Sequence, residues 1–267
     1  MKTTDFNNGH KEVVIWTETP KPLATLERAI DRDLGPSLDP LTPEQKAINV
    51  ERAVRRAKQG VRKLAKAMIV NSLWTLTYRD NEQDRAQVMR DLRAFRDRTR
   101  AVLGEWKYIA VLERQERGAY HIHLATHALP TRLASGGVKV KSWDVMRAIW
   151  RSVTGERGGN FDEAKRSKRW SPGQHKPVRG AGAIARYIAG YVAKDMHESP
   201  ENKKRYSHTL GVDMPAPLKE AWEADEVTML ELMQLAFSRV GQRITSAWFD
   251  AERGLFFVES DDSVPVG

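Results

Sequence analysis

The stretch "WKYIAVLERQERGAYHIHLATHAL", residues 106–129, decides the reading of this chain. Two runs rich in aromatic and β-branched residues, Trp106–Gln115 and Tyr120–Leu129, flank the short turn "ERGA". Two extended segments joined this way form a hairpin, so the fold is built on an antiparallel sheet. Successive side chains of a strand point to opposite faces. His121, His123 and His127 therefore share one face, with small Ala125 between them, and Tyr120, Ile122, Leu124 and Thr126 share the other. The turn sets the register. A three-residue loop with Gly118 left-handed pairs Glu113 with His123 on the histidine face, whereas a two-residue loop sets Glu113 beside Ile122. Two imidazoles and a carboxylate form a ligand set for divalent manganese, magnesium, zinc or iron.

Working outward, residues 1–40 read as a loosely organised lead-in whose one short apolar run is "VVIW", 13–16. At "TPEQ" a helix begins, with Thr42 as N-cap, Pro43 in the first turn and Gln45 at the capping-box position. Ala47, Val50, Val54, Ala57, Val61, Leu64 and Met68 then recur at helical spacing, and Arg and Lys fill the opposite face. "LWTLTYR", 73–79, reads as a strand, with Thr75 and Thr77 on one face. Residues 80–104 read as a helix closed by Gly104, and 142–154 as another. Residues 155–182 read mostly as loop, 183–198 as a helix, 203–212 as a last strand, and 218–248 as a helical region. This order predicts an α+β fold, an antiparallel sheet with helices packed on one side. The expected divisions are a lead-in (1–40), a central domain (41–215) that starts with the basic helix 42–68, and a C-terminal helical region and tail (216–267).

With 267 residues, 40% apolar, and eight tryptophans, the chain can bury a substantial core. It has no cysteine, which excludes disulfides and thiolate metal sites and favours a reducing compartment. No apolar run reaches the roughly 18–20 residues a membrane span needs, and the N-terminus lacks the apolar core of a signal peptide. A soluble intracellular protein is expected. The net charge of +9 is unevenly spread. From Ala164 through Lys194 no acidic residue occurs, while Lys165, Arg166, Lys168, Arg169, Lys176, Arg179, Arg186 and Lys194 do, with Trp170 and His175 among them. Cations interleaved with rings suit nucleic acid, where phosphates meet the charges and bases stack. A solvated loop is the plainer alternative.

The helix "RYIAGYVAKD" aligns Tyr187, Tyr191 and Lys194 at i, i+4 and i+7, while Ile184, Ile188 and Val192 form a second line that anchors it on the sheet. By themselves such tyrosines are ordinary core-edge residues. Beside a metal site they become candidate nucleophiles, since a nearby cation and a polarised phosphate favour attack by a phenolate.

Taken together, "TLTY" (75–78), "HIH" (121–123) after an upstream "ER", and "YIAGYVAK" (187–194) resemble, in order, the three motifs of HUH-type rolling-circle replication initiators, the Rep endonucleases of phages and plasmids. The resemblance covers about residues 70–215 and is closest to members whose third motif has two tyrosines four residues apart. It implies a ferredoxin-like or RNA-recognition-like sheet. It also implies an enzyme that nicks single-stranded or hairpin origin DNA with Mg2+ or Mn2+, links a tyrosine to the 5′-phosphate, frees a 3′-hydroxyl and later rejoins the displaced strand. By the resemblance His121 and His123 hold the metal, with Glu113 as third ligand. Tyr187, Tyr191 or both in alternation attack, and Lys194 is the motif lysine. One departure is Gly190, where many relatives have lysine between the tyrosines, so Tyr191–Lys194 is the better-matched pair.

No G-x-x-x-x-G-K-[ST] motif occurs, so no nucleotide cofactor is expected, and strand separation falls to a host helicase and synthesis to a host polymerase in the bacterial cytoplasm. The alternatives are a tyrosine transposase of the same superfamily, a non-catalytic RNA-recognition-like binding module, and a mononuclear iron oxygenase, which leaves the acid-free basic stretch unexplained.

Overall fold

The computed structural model describes residues 1–17, 42–135, 137–164, 180–194, 206–223 and 225–262. In chain order its elements are β1 (Lys2–Asp5), β2 (His10–Trp16), α1 (Pro43–Ala67), β3 (Ser72–Tyr78), α2 (Arg85–Leu103), β4 (Tyr108–Arg114), β5 (Tyr120–Thr126), β6 (Arg132–Ser135), β7 (Val138–Lys141), α3 (Ser142–Thr154), β8 (Gly159–Glu163), α4 (Gly180–Lys194), β9 (Tyr206–His208), β10 (Leu218–Lys219), α5 (Met229–Arg239), β11 (Ile244–Asp250) and β12 (Leu255–Asp261). The chain divides into two compact units, Met1–Asn49 with Pro215–Gly267, and Val50–Met214. The fold is α+β, with antiparallel sheets and helices packed on them.

The unit Val50–Met214 is built on a five-stranded antiparallel sheet of order β8-β3-β5-β4-β9. Helices cover both faces rather than the expected one side. The reason lies in strands apolar on both faces: Ile109 and Val111 of β4 point one way, Ala110 and Leu112 the other, and all four are buried. On one face Trp74, Leu76, Leu112, Ile122 and Leu124 meet Leu92 and Phe95 of α2 and Met146 and Trp150 of α3. On the other, Leu73, Ile109, Val111 and Ala125 meet Val61 and Leu64 of α1 and Ile184, Ile188 and Val192 of α4. The anchoring line read from the sequence of α4 is thus its buried line.

Local signals place the helix ends. At α1 the Thr42 N–H donates to Gln45 Oε1 (2.9 Å) and the Gln45 N–H to Thr42 Oγ1 (3.2 Å), a capping box. At α2 the Asp84 carboxylate accepts from the Ala86 N–H, and Gly104, at φ 74°, closes the helix in a conformation that costs a side chain energy. Within the expected loop 155–182, residues 159–163 form β8. It lengthens the sheet by pairing with β3, and it buries Phe161. With one large apolar residue among five, it has no alternation to announce it.

The unit formed by Met1–Asn49 and Pro215–Gly267 corrects two expectations. The lead-in contains β1 and β2, and the helical region 218–248 contains only α5 as helix, with strands β10 and β11 on either side and β12 beyond. These strands form an antiparallel sheet of order β10-β1-β2-β12-β11. The run "VVIW" pairs with β12, Val13 opposite Val258 and Ile15 opposite Phe256. Val13, Ile15, Phe256 and Val258 pack with Ala236 and Val240 at the end of α5. Pairing between segments more than two hundred residues apart is a tertiary event that local pattern does not report.

Candidate metal centre and tyrosine pair

On the α4-covered face of the Val50–Met214 sheet, residues fall into rows across the strands. Leu73, Ala125 and Ile109 make an apolar row, Thr75, His123 and Val111 the next, and His121 beside Glu113 the one after. The site therefore begins where the apolar face under α4 gives way to polar side chains. The hairpin turn has three residues between Gln115 and Ala119, with the Gln115 N–H donating to the Ala119 carbonyl (2.8 Å) and Gly118 at φ 86°. The loop length and the left-handed glycine agree with expectation, but the register does not. Glu113 pairs with His121, and His123 pairs with Val111. The slip is by an even number of residues, so Glu113 stays on the histidine face and reaches His123 diagonally.

The resulting cluster is tight. One ligand atom each from Glu113, His121 and His123 lie within 4.8 Å of one another. His123 is buried, and its Nε2 lies 2.8 Å from Glu113 Oε2 while its Nδ1 lies 3.2 Å from Thr75 Oγ1. The Thr75 hydroxyl accepts from Nδ1 or donates to it, so it serves either tautomer and fixes the ring. Gln115 Nε2 lies 3.1 Å from His121 Nδ1, and Gln115 Oε1 accepts from Arg117 Nε (3.1 Å). Burial, and then His123, hold the His121 imidazole below its ordinary pKa, which keeps it neutral, the form that ligates. The donor set of two imidazoles and one carboxylate, each ring held at its far nitrogen, fits a divalent cation. His127 stands apart. It is exposed and bonds through Nε2 to the Met68 carbonyl oxygen (2.8 Å).

Helix α4 sets both tyrosines against this cluster. The Tyr191 ring stacks on His123, with centroids 4.1 Å apart and planes 10° from parallel. Tyr187 crosses Tyr191 edge-on at 5.1 Å, and the Tyr191 hydroxyl donates to the Tyr187 oxygen at 2.5 Å. Burial, then the bond to Tyr187, then nearby Glu113 push the Tyr191 phenol well above its ordinary pKa. Tyr187 is 42% exposed and forms the outward member of the pair. Nothing lies within 4 Å of where a Cβ at Gly190 would stand, so the departure there reflects no close packing.

The remaining site residues are less fully placed. Lys194 ends α4, but its side chain lies outside the described residues, as do Lys165, Arg166, Lys168, Arg169, Trp170, Lys176 and Arg179. Arg186 is on α4 and exposed. Thr75 and Gln115 touch the histidines without being ligands, and the motifs do not single them out. The signal for Thr75 was its place on the histidine-facing side of "TLTY"; for Gln115 none existed, because its reach depends on the turn.

Residues 71–196 match the model of the replication-associated protein ORF2 family. The matched segment, somewhat under half the chain, runs from the strand of Thr75 through both histidines to the tyrosine helix. It supports a role in DNA replication. No curated protein and no solved structure matches the chain. No helix among the described residues is long and apolar enough to cross a membrane.

Proposed function

We propose that this chain initiates rolling-circle replication by nicking single-stranded origin DNA through tyrosine attack. The observation that carries the reading is the stacking of Tyr191 on His123, which sets two phenols against a two-histidine, one-carboxylate cluster. Glu113, His121 and His123 would hold a divalent cation, magnesium or manganese. Bound there, the cation would supply Lewis-acid polarisation of a non-bridging oxygen of the scissile phosphate. A tyrosine oxygen attacks phosphorus, the bond from phosphorus to the 3′-oxygen breaks, the phenol proton is lost, and the departing 3′-oxygen gains a proton. The products are a 5′-phosphotyrosine and a free 3′-hydroxyl. In the second transfer a 3′-hydroxyl displaces the tyrosine and reseals the strand.

Exposure and hydrogen-bond direction favour Tyr187 as first attacker. Its oxygen accepts from Tyr191, and a donor stabilises a developing phenolate. Tyr191, released from that role, is the natural second nucleophile, and Lys194 three residues on is the cation proposed for it. This order reverses the ranking suggested by motif spacing alone.

The test is a denaturing gel of the protein with labelled single-stranded DNA from its own replicon, with manganese or with EDTA. A manganese-dependent covalent band is expected, absent in the Tyr187→Phe, Tyr191→Phe double variant. Initial nicking should fall further in Tyr187→Phe than in Tyr191→Phe. Tight metal-independent DNA binding with no adduct would replace the enzyme by a binding module.

A further inference from the structure

Strands β6 and β7 form a hairpin that none of the replication motifs includes. Its register sets Arg132 directly opposite Lys141, with Lys139 two residues from Lys141 and so on the same face. All three side chains are exposed, and none has a carboxylate within ion-pair distance among the described residues. Like charges opposite one another across a strand pair are destabilising. The arrangement is relieved when an anion lies across both.

Beneath this pair is a cavity of about 330 Å³ lined by Pro130, Thr131, Arg132, Lys141, Ser142, Trp143 and Glu163. That is the small end of the roughly 300–1,000 Å³ range of ligand pockets. Its frame is firm. The Ser142 hydroxyl donates to the Pro130 carbonyl, the Ser142 N–H to the Thr131 carbonyl (3.2 Å), and the Arg147 guanidinium lies over the Trp143 ring at 3.9 Å. Glu163 is 8% exposed, and its Oε1 accepts from the Ser72 hydroxyl (2.9 Å) and the Leu129 N–H (3.0 Å). Its Oε2 has no hydrogen-bond partner among the described residues. A carboxylate oxygen more than nine-tenths buried, with no donor of its own in a cavity, calls for a ligand that brings one.

Two exposed cations, an aromatic wall and an inward acceptor are the parts that recognise one nucleotide. We propose that the cavity is a base-reading pocket for the single-stranded DNA, in which Arg132 and Lys141 meet a phosphate, Trp143 flanks the base and Glu163 Oε2 accepts from its exocyclic amino group. The identity of the polymer rests on the nicking reading; the pocket itself does not. Glu163 is opposite Trp74 and so faces away from the histidines, on the edge strand β8, two strands from β5. At roughly 4.8 Å per strand spacing that edge is about 10 Å from β5. A bound strand reaches both sites by passing round the β8 edge, so the base read is some nucleotides from the nick.

The test is fluorescence anisotropy in EDTA, with labelled oligothymidylate carrying one central dC, dA or dG, or none. Wild type should prefer at least one amino-bearing base over thymine by roughly tenfold. Glu163→Gln keeps an oxygen for Ser72 and Leu129 and should abolish that preference. Arg132→Gln with Lys141→Gln should lessen the salt dependence by roughly 0.7 log units per log of salt for each phosphate no longer neutralised. Equal binding of all four oligonucleotides, or a preference and salt slope unchanged in these variants with unaltered circular dichroism, would overturn the pocket. Covalent adduct with manganese is scored separately. Base preference without adduct overturns the nicking reading and keeps the pocket, while adduct without base preference does the reverse.

Discussion

His123 shows how much one residue's setting decides. Its ring is touched on three sides, by Thr75 at Nδ1, Glu113 at Nε2 and the Tyr191 face. Thr75→Val keeps the shape and removes the hydroxyl. Manganese affinity, measured by titration calorimetry, should fall about 10- to 100-fold, as is usual when such a supporting hydrogen bond is removed. A second residue-scale expectation concerns Tyr78, whose hydroxyl donates to Asp91 Oδ2 (2.9 Å). Burial, then the Asp91 charge, push its pKa well above the ordinary value of 10. A raised folded-state pKa gives stability that is complete below the unfolded pKa and lost as pH rises past it. Stability should therefore decline above about pH 10 by up to about 1.4 kcal/mol per pH unit for this one proton. Urea unfolding at pH 9 and 11 should show a smaller decline in Tyr78→Phe.

At the scale of elements, α4 has two jobs on two sides. Ile184, Ile188 and Val192 are buried against the sheet, and this burial is what holds Tyr187 and Tyr191 at the metal cluster. Ile188→Ala should cost about 2–5 kcal/mol of stability by urea unfolding, and should lower adduct formation more than DNA binding, because the tyrosines lose their seat. Helix α5 is held at its start by a second capping box, the Thr228 hydroxyl accepting from the Glu231 N–H and the Glu231 carboxylate from the Thr228 N–H. Thr228→Ala should cost about 1 kcal/mol, and metal binding by the other unit should not change.

For the whole molecule, the two units have separate cores, one around the β8-β3-β5-β4-β9 sheet and one around the β10-β1-β2-β12-β11 sheet. The three candidate ligands and both tyrosines lie in Val50–Met214. A fragment of residues 42–214, which keeps the cap of α1, is expected to fold by circular dichroism and to bind manganese as the full chain does. An unfolded fragment, with the full chain folded, would show that the outer unit is part of the stability of the inner one.

Much of the site was legible because its signals are local. Alternation along 120–127 put the histidines on one face, the i, i+4 spacing aligned the tyrosines, and Gly118 announced the three-residue turn. Thr42–Gln45 and Gly104 announced helix ends in the same way. What local pattern could not supply was partnership over distance. The register that sets Glu113 beside His121 depends on how strands pair, and β8 has too little apolar alternation to declare itself. The strands at the two ends of the chain find each other only in the folded state, where β2 and β12 can share a core. By itself the sequence determined the candidate chemistry and the helix and hairpin signals of the central segment. Only tertiary structure decided the sheet order, the second sheet and the stacking of Tyr191 on His123, because these are contacts between residues far apart in the chain whose closure cost is met by packing, not by local propensity.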